Sequence, residues 1–235
     1  MIFIPVFDSK NIPALFKVGM SFVITAILFP VLELNNIPFI TEAIPLVIRI
    51  TGEIILGVLI GFSVKLTFAG IQLAGQLIGF QMGFAIANVI DPITSSQASI
   101  ISMFMNIIAM LMFLTVNAHH WFLRALVESF HMVPPFGFQF NGSLMEQLTT
   151  FAGDMFVIAI KVGAPVIAAL LLTTVALGLI ARTVPQMNIF IVAMPIKIVV
   201  GLLFLGLSLP FLSSLFKQIF TDIVKNIFFL LKAMV

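Results

Sequence analysis

The sequence predicts an all-α fold: a polytopic, membrane-associated helical protein with broken helices and helical hairpins. Three observations predict it. Only twenty of 235 residues are charged, eleven basic and nine acidic, which is 9% of the chain where a soluble domain carries roughly 25%. The apolar share is 61% and the mean hydropathy is +1.25, so in water the chain would leave large apolar patches uncovered. The uncharged stretches are continuous apolar runs approaching or exceeding the about 20 residues that cross a bilayer as a helix, without the alternation of barrel strands. The same figures exclude disorder, which needs low hydrophobicity and high net charge. There is no cysteine, hence no disulfide, thiolate nucleophile or cysteine metal cluster, and a net charge of +2 is too small to point to nucleic acid.

The elements follow in order. An apolar run over residues 18–32 comes after Lys17, and Pro30, Asn35, Asn36 and Pro38 close its helix. Residues 54–64 lie between Glu53 and Lys65. Residues 66–90 hold no charge, and Asp91-Pro92 separates them from the uncharged residues 92–123, because the residue before proline avoids the α region. Pro134, Pro135, Gly137 and Asn141-Gly142 make a connector. Ser143 with Glu146 reads as a capping box that starts the next helix. Uncharged runs at 162–181 and 198–216 follow, with Pro185 marking a break between them. The N-terminus shows no signal peptide, and scattered basic residues give little orientation. The whole, 1–235, reads as a single helical domain.

Gly75, Gly79 and Gly83 recur every four residues on one predicted helix, and Gly57 and Gly61 repeat the spacing; small residues so placed let another backbone come close. Gln72, Gln76 and Gln81 carry amides in the same run and are expected to be buried in protein, as interhelical hydrogen-bonding groups or along a wet path. Asp91-Pro92 reads either as a helix N-cap with proline at the first turn or as an acidic site in an otherwise neutral region. Thr94, Ser95, Ser96, Gln97 and Ser99 follow as a polar loop between apolar helices, and such a loop needs protein or a water-filled cavity around it. His119, His120 and His131 lack carboxylates at ligand spacing, and the first two diverge by about 100° on a helix, so with Trp121 they are placed at a helix end near an interface, not on a metal. No catalytic motif occurs, and neither enzyme activity nor a cofactor is expected. Most of the 26 Phe and 13 Met residues are read as packing. In 215–235, Phe216, Ile219, Phe220, Ile223, Ile227 and Leu230 share one face while Lys217, Thr221, Lys225 and Lys232 share another. That amphipathic C-terminal helix is expected on a membrane surface or a partner.

The string GQLIGFQMGFAIANVIDP at 75–92 resembles the flagellar biosynthetic protein FliR family, as do FLTVNAH at 113–119, SFHMVP at 129–134, AMP at 193–195, and IPVF, IP and KVG near the N-terminus. The likeness spans nearly the whole chain and is nearer to flagellar members than to the virulence-secretion branch. It departs at the start, where FliR-like proteins have an additional apolar helix of about 20 residues; the chain reads as N-terminally short. The resemblance implies a subunit of the flagellar type III protein export gate in the basal body at the bacterial inner membrane. The implied partners are FliP and FliQ, FlhB, the lipid bilayer, and unfolded flagellar proteins in transit. It implies that residues 88–99, including Asn88, Asp91, Pro92 and the polar residues after them, form a plug closing a central path, with Met82 and Phe84 beside it. The alternative is an independent secondary transporter or channel for a small solute or ion, coupled through Asp91, Glu53 and Lys65, although the paired halves common in such carriers are not visible.

Overall fold

The computed structural model describes residues 12–31, 42–84, 99–183 and 188–234. Nine-tenths of them are helical, and no strand occurs among them. The all-α class is therefore the class observed.

Helix α1, Ala14–Leu28, begins after Pro13 and passes into a 3-10 turn, Phe29–Val31. No residue of α1 is buried. Asn35, Asn36 and Pro38 lie outside the described residues. Helix α2, Ala43–Met82, runs for 40 residues. It absorbs Arg49, Glu53 and Lys65, since long unbranched charged side chains cost a helix little. Helix α3 is Ile100–Thr115 and α4 is Ala118–Met132. The uncharged run that holds α3 and the start of α4 is interrupted at Asn117, whose φ of 58° is left-handed, a conformation in which asparagine is tolerated. Helix α5, Gly142–Thr183, contains Pro165; α6, Ile189–Lys232, contains Pro195 and Pro210. Pro185 lies outside the described residues, between α5 and α6. Helices α2, α5 and α6 are each long and apolar enough to cross a membrane.

The start of α5 corrects one expectation. Asn141 caps the helix: its Oδ1 accepts the Leu144 backbone N–H at 3.0 Å and the Ser143 hydroxyl at 2.8 Å. Ser143 is thereby the second residue of the helix and donates, so it does not form the capping box with Glu146.

Two compact units divide the described residues. One comprises those up to Phe68, Phe113–Asp154 and those from Ile219 onward; the other comprises Ala69–Met112 and Met155–Gln218. In the first, Phe68, Phe113 and Phe220 form an aromatic cluster with ring centroids 5.4–5.7 Å apart, edge-on and stacked. Phe220, Ile227 and Leu230 are at most 1% exposed, and Phe216, which belongs to the second unit, is fully buried as well. The apolar stripe of residues 215–232 is thus covered by the chain itself and continues a long helix; it is not the free face of a separate surface helix. A helical stripe specifies only that something apolar must cover it. At the chain's end the Gln139 N–H donates to the Met234 carbonyl at 3.1 Å, and the Ser143 hydroxyl donates to that of Ala233 at 3.3 Å.

In the second unit the buried stripe of α2 is Ile71, Ala74, Ile78 and Met82, all fully enclosed. Their spacing of three and four residues is the periodicity of one helix face. Met105 and Ala109 on α3, Val162, Val166 and Leu170 on α5, and Leu205 and Leu212 on α6 complete this core.

Candidate functional site

The second unit shows where α2 stops and α3 begins. Gly70, Gly75 and Gly79 lie along the C-terminal third of α2. A Cβ added at Gly75 would stand 2.5 Å from the Ser102 Cα and 3.1 Å from the Ile101 carbonyl, and one at Gly79 would collide with the Ser99 hydroxyl. At Gly70 it would meet the Met155 carbonyl at 2.7 Å. Only a residue without a side chain lets a helix backbone and α3 come this near. The approach brings the Ser102 hydroxyl 2.9 Å from the Gln72 backbone carbonyl, to which it donates, while the Gln72 side-chain amide donates to Asn106 Oδ1 at 3.0 Å. Ser102, Asn106, Gly70 and Gly201 went unmarked in the sequence; Ser99, Ser102 and Asn106 recur at helical spacing, and that was the available signal.

Gly83 has a different part from the one expected. It does not continue the packing ladder but ends the helix, at φ 94°. The Phe84 N–H donates to the Gly79 carbonyl and the Gly83 N–H to the Phe80 carbonyl, both at 3.1 Å. This six-to-one and five-to-two pair is the Schellman arrangement, which satisfies orphan carbonyls at a helix end. Met82, the last helical residue, is fully buried, with its Cγ 2.9 Å from where a Gly201 Cβ would be. Phe84 is half-buried just beyond it. Asn88, Asp91, Pro92, Thr94, Ser95, Ser96 and Gln97 lie outside the described residues. What is described is the frame on either side: a glycine-capped exit from α2, and Ser99 leading into α3.

Two buried polar atoms in that frame, Gln81 Oε1 and Ser99 Oγ, have no hydrogen-bond partner among the described residues. Gln76 is half-buried, and Gln72, expected to be buried, is exposed and partnered by Asn106. On the same helix Gly61 is buried, whereas Gly57 is exposed with nothing within 4 Å of an added Cβ.

In the first unit the Glu53 carboxylate accepts the Phe136 backbone N–H at 2.6 Å, and Phe136 sits at a φ of 67° in the connector before α5. His119, His120 and Trp121 occupy the first turn of α4, and His131 the last. The rings of His119 and His120 do not diverge as helical spacing predicts: their centroids are 4.1 Å apart, because first-turn side chains have no preceding turn to hold them. No group of three potential metal ligands is assembled among the described residues.

The family model described as bacterial export proteins, family 1, matches residues 1–223. The chain is 35% identical over 220 residues to the flagellar biosynthetic protein FliR of Pectobacterium carotovorum, covering 93% of this chain and 83% of the relative. To the FliR of Bacillus subtilis it is 35% identical over 224 residues, covering 93% and 85%. To that of Escherichia coli K12 it is 30% identical over 220 residues, covering 93% and 83%.

Proposed function

The chain belongs to the bacterial export proteins of family 1, and from that premise we propose that it is a non-enzymatic subunit of the flagellar type III protein export gate. It packs with homologous helical subunits, FliP and FliQ, and against FlhB, in the basal body at the inner membrane. Unfolded flagellar proteins pass along a central path in their midst.

One observation carries the assembly reading. Large apolar side chains lie exposed on α2 from Ile44, at 75%, through Val47, Ile48 and Ile54, to Phe80 at 64%. At the ordinary helical rise that stretch is about 54 Å long, against a hydrocarbon layer of about 30 Å. An upright helix of that length has more exposed apolar surface than the hydrocarbon layer covers, which supports a reading in which protein covers the rest. Neighbouring helical subunits provide that cover.

The polar segment at 88–99 is the plug, with Met82 and Phe84 at its root. The capped exit after Met82 supports this reading by giving the segment a fixed origin, and the unpartnered Gln81 and Ser99 atoms supply polar groups for it to engage. Opening requires only that the segment have two arrangements of similar free energy.

Co-expression with FliP and FliQ from the same bacterium, followed by mass measurement of the intact particle, tests the proposal. A complex containing all three is expected. A chain that purifies alone and binds a small solute would favour a carrier and overturn it. For the plug, deletion of residues 88–99 is expected to make the membrane leak small ions; an unchanged leak removes that part.

A further inference from the structure

We propose that the cleft between α4 and the last turns of α6 binds the headgroup of an ethanolamine phospholipid, with its phosphodiester on Arg124 and Lys225 and its ammonium on Glu128. The cleft lies within the first unit and has a volume of about 460 Å³. That is within the about 300–1,000 Å³ usual for small-molecule sites. Trp121, Val224 and Phe228 form its apolar wall, and Arg124, Glu128 and Lys225 supply its charge.

Arg124 and Glu128 are exposed, and neither side chain makes a hydrogen bond or ion pair among the described residues. One helical turn apart, they lie on the same face of α4, with Cβ atoms about 6 Å apart. Lys225 donates to Asp222 at 3.0 Å. An ammonium carries three donors, so this pairing leaves Lys225 able to make further bonds. Two cations and one carboxylate beside an apolar wall match a zwitterionic headgroup whose phosphate and ammonium are joined by two methylenes, with further methylenes continuing toward the acyl chains. A guanidinium fork suits a phosphodiester. Trp121, half-buried, is the residue type that settles at headgroup depth, with its ring on methylenes and its N–H toward polar groups. An anionic headgroup without an amine would satisfy the cations but leave Glu128 beside negative charge. The carboxylate therefore selects the amine.

The test is native mass spectrometry of the full chain, in detergent and within whatever complex it purifies with, titrated with phosphatidylethanolamine or phosphatidylglycerol. One tightly held phosphatidylethanolamine is expected. Arg124→Gln should weaken both lipids by about tenfold or more, the loss of a charge-assisted hydrogen bond. Glu128→Gln should weaken phosphatidylethanolamine alone and erase its preference over phosphatidylglycerol. Lys232→Gln, on α6 with Lys225 but outside the cleft, should change neither. Equal losses with Lys232→Gln would mean general charge attraction, and undiminished binding with Arg124→Gln would place the lipid elsewhere; either overturns the proposal. So would a peptide retained in place of lipid and lost with Arg124→Gln. Melting in lipid-free detergent checks that each variant folds, and the Glu128→Gln selectivity change decides the matter if Arg124→Gln does not.

Discussion

Replacing Gly75 by alanine adds one methyl group where the α2 and α3 backbones come close. The new Cβ would stand 2.5 Å from the Ser102 Cα and 3.0 Å from the Ser102 nitrogen, both main-chain atoms that cannot rotate away. Restoring an ordinary carbon contact of about 3.5 Å requires α3 to retreat by about 1 Å. The Ser102 hydroxyl now donates to the Gln72 carbonyl at 2.9 Å, and a retreat of that size breaks this bond. Overpacking costs about 1–3 kcal/mol and the lost hydrogen bond about 0.6–1 kcal/mol, while alanine's better helix propensity returns about 1 kcal/mol. The net is a destabilisation of about 1–3 kcal/mol, or a melting point lower by about 4–8 °C near the middle of that range. Gly57→Ala is the matched control, because nothing lies within 4 Å of its added Cβ. Alanine there should leave the isolated chain's melting point unchanged or raise it. Both are read by thermal unfolding of the purified chain in detergent. If Gly75→Ala melts no lower than Gly57→Ala, α2 and α3 are not in the close contact described, and the frame built on it fails.

Three further outcomes follow from the same geometry. Glu53→Ala removes the acceptor of the 2.6 Å bond from Phe136 N–H, and should cost about 1.5–3 kcal/mol and speed hydrogen exchange of the Phe136 amide. Gly83→Ala must take up a φ of 94° and should destabilise by about 1–2 kcal/mol, with Gly83→Asn milder because asparagine tolerates left-handed backbone; equal melting of the two would count against the cap. Phe220→Ala empties a site only 1% exposed between Phe68 and Phe113 and should cost about 3–5 kcal/mol, whereas Phe229→Ala, at 58% exposed, should leave chain stability within about 0.5 kcal/mol.

The helical class was legible because so few charges spread over so many apolar residues leave helices as the economical way to satisfy the backbone. The close approach at Gly75 and Gly79 was legible as a spacing. That Gly83 caps where its neighbours pack was not, since one residue type serves both needs and only the helix end distinguishes them. Asn117 broke an uncharged run without proline or glycine, and nothing in that run's composition signals a left-handed residue. Asn141 displaced Ser143 as the cap because both types cap well and position alone decides. The stripe at 215–232 was legible as a stripe, but its cover was not, because amphipathicity is blind to whether the apolar neighbour is lipid, another subunit or the same chain. Of the residues proposed for the plug, Met82, Phe84 and Ser99 fall among those described.

Pro195 and Pro210 sit inside α6 and bring no amide hydrogen. The carbonyls four residues earlier, at Ile191 and Gly206, therefore lack their usual helical donor. At Gly206 nothing lies within 4 Å of an added Cβ, so neighbouring side chains lend no lateral support either. Under load such a rod does not flex evenly. A bend is expected first around Gly206, where the missing hydrogen bond and the open flank coincide.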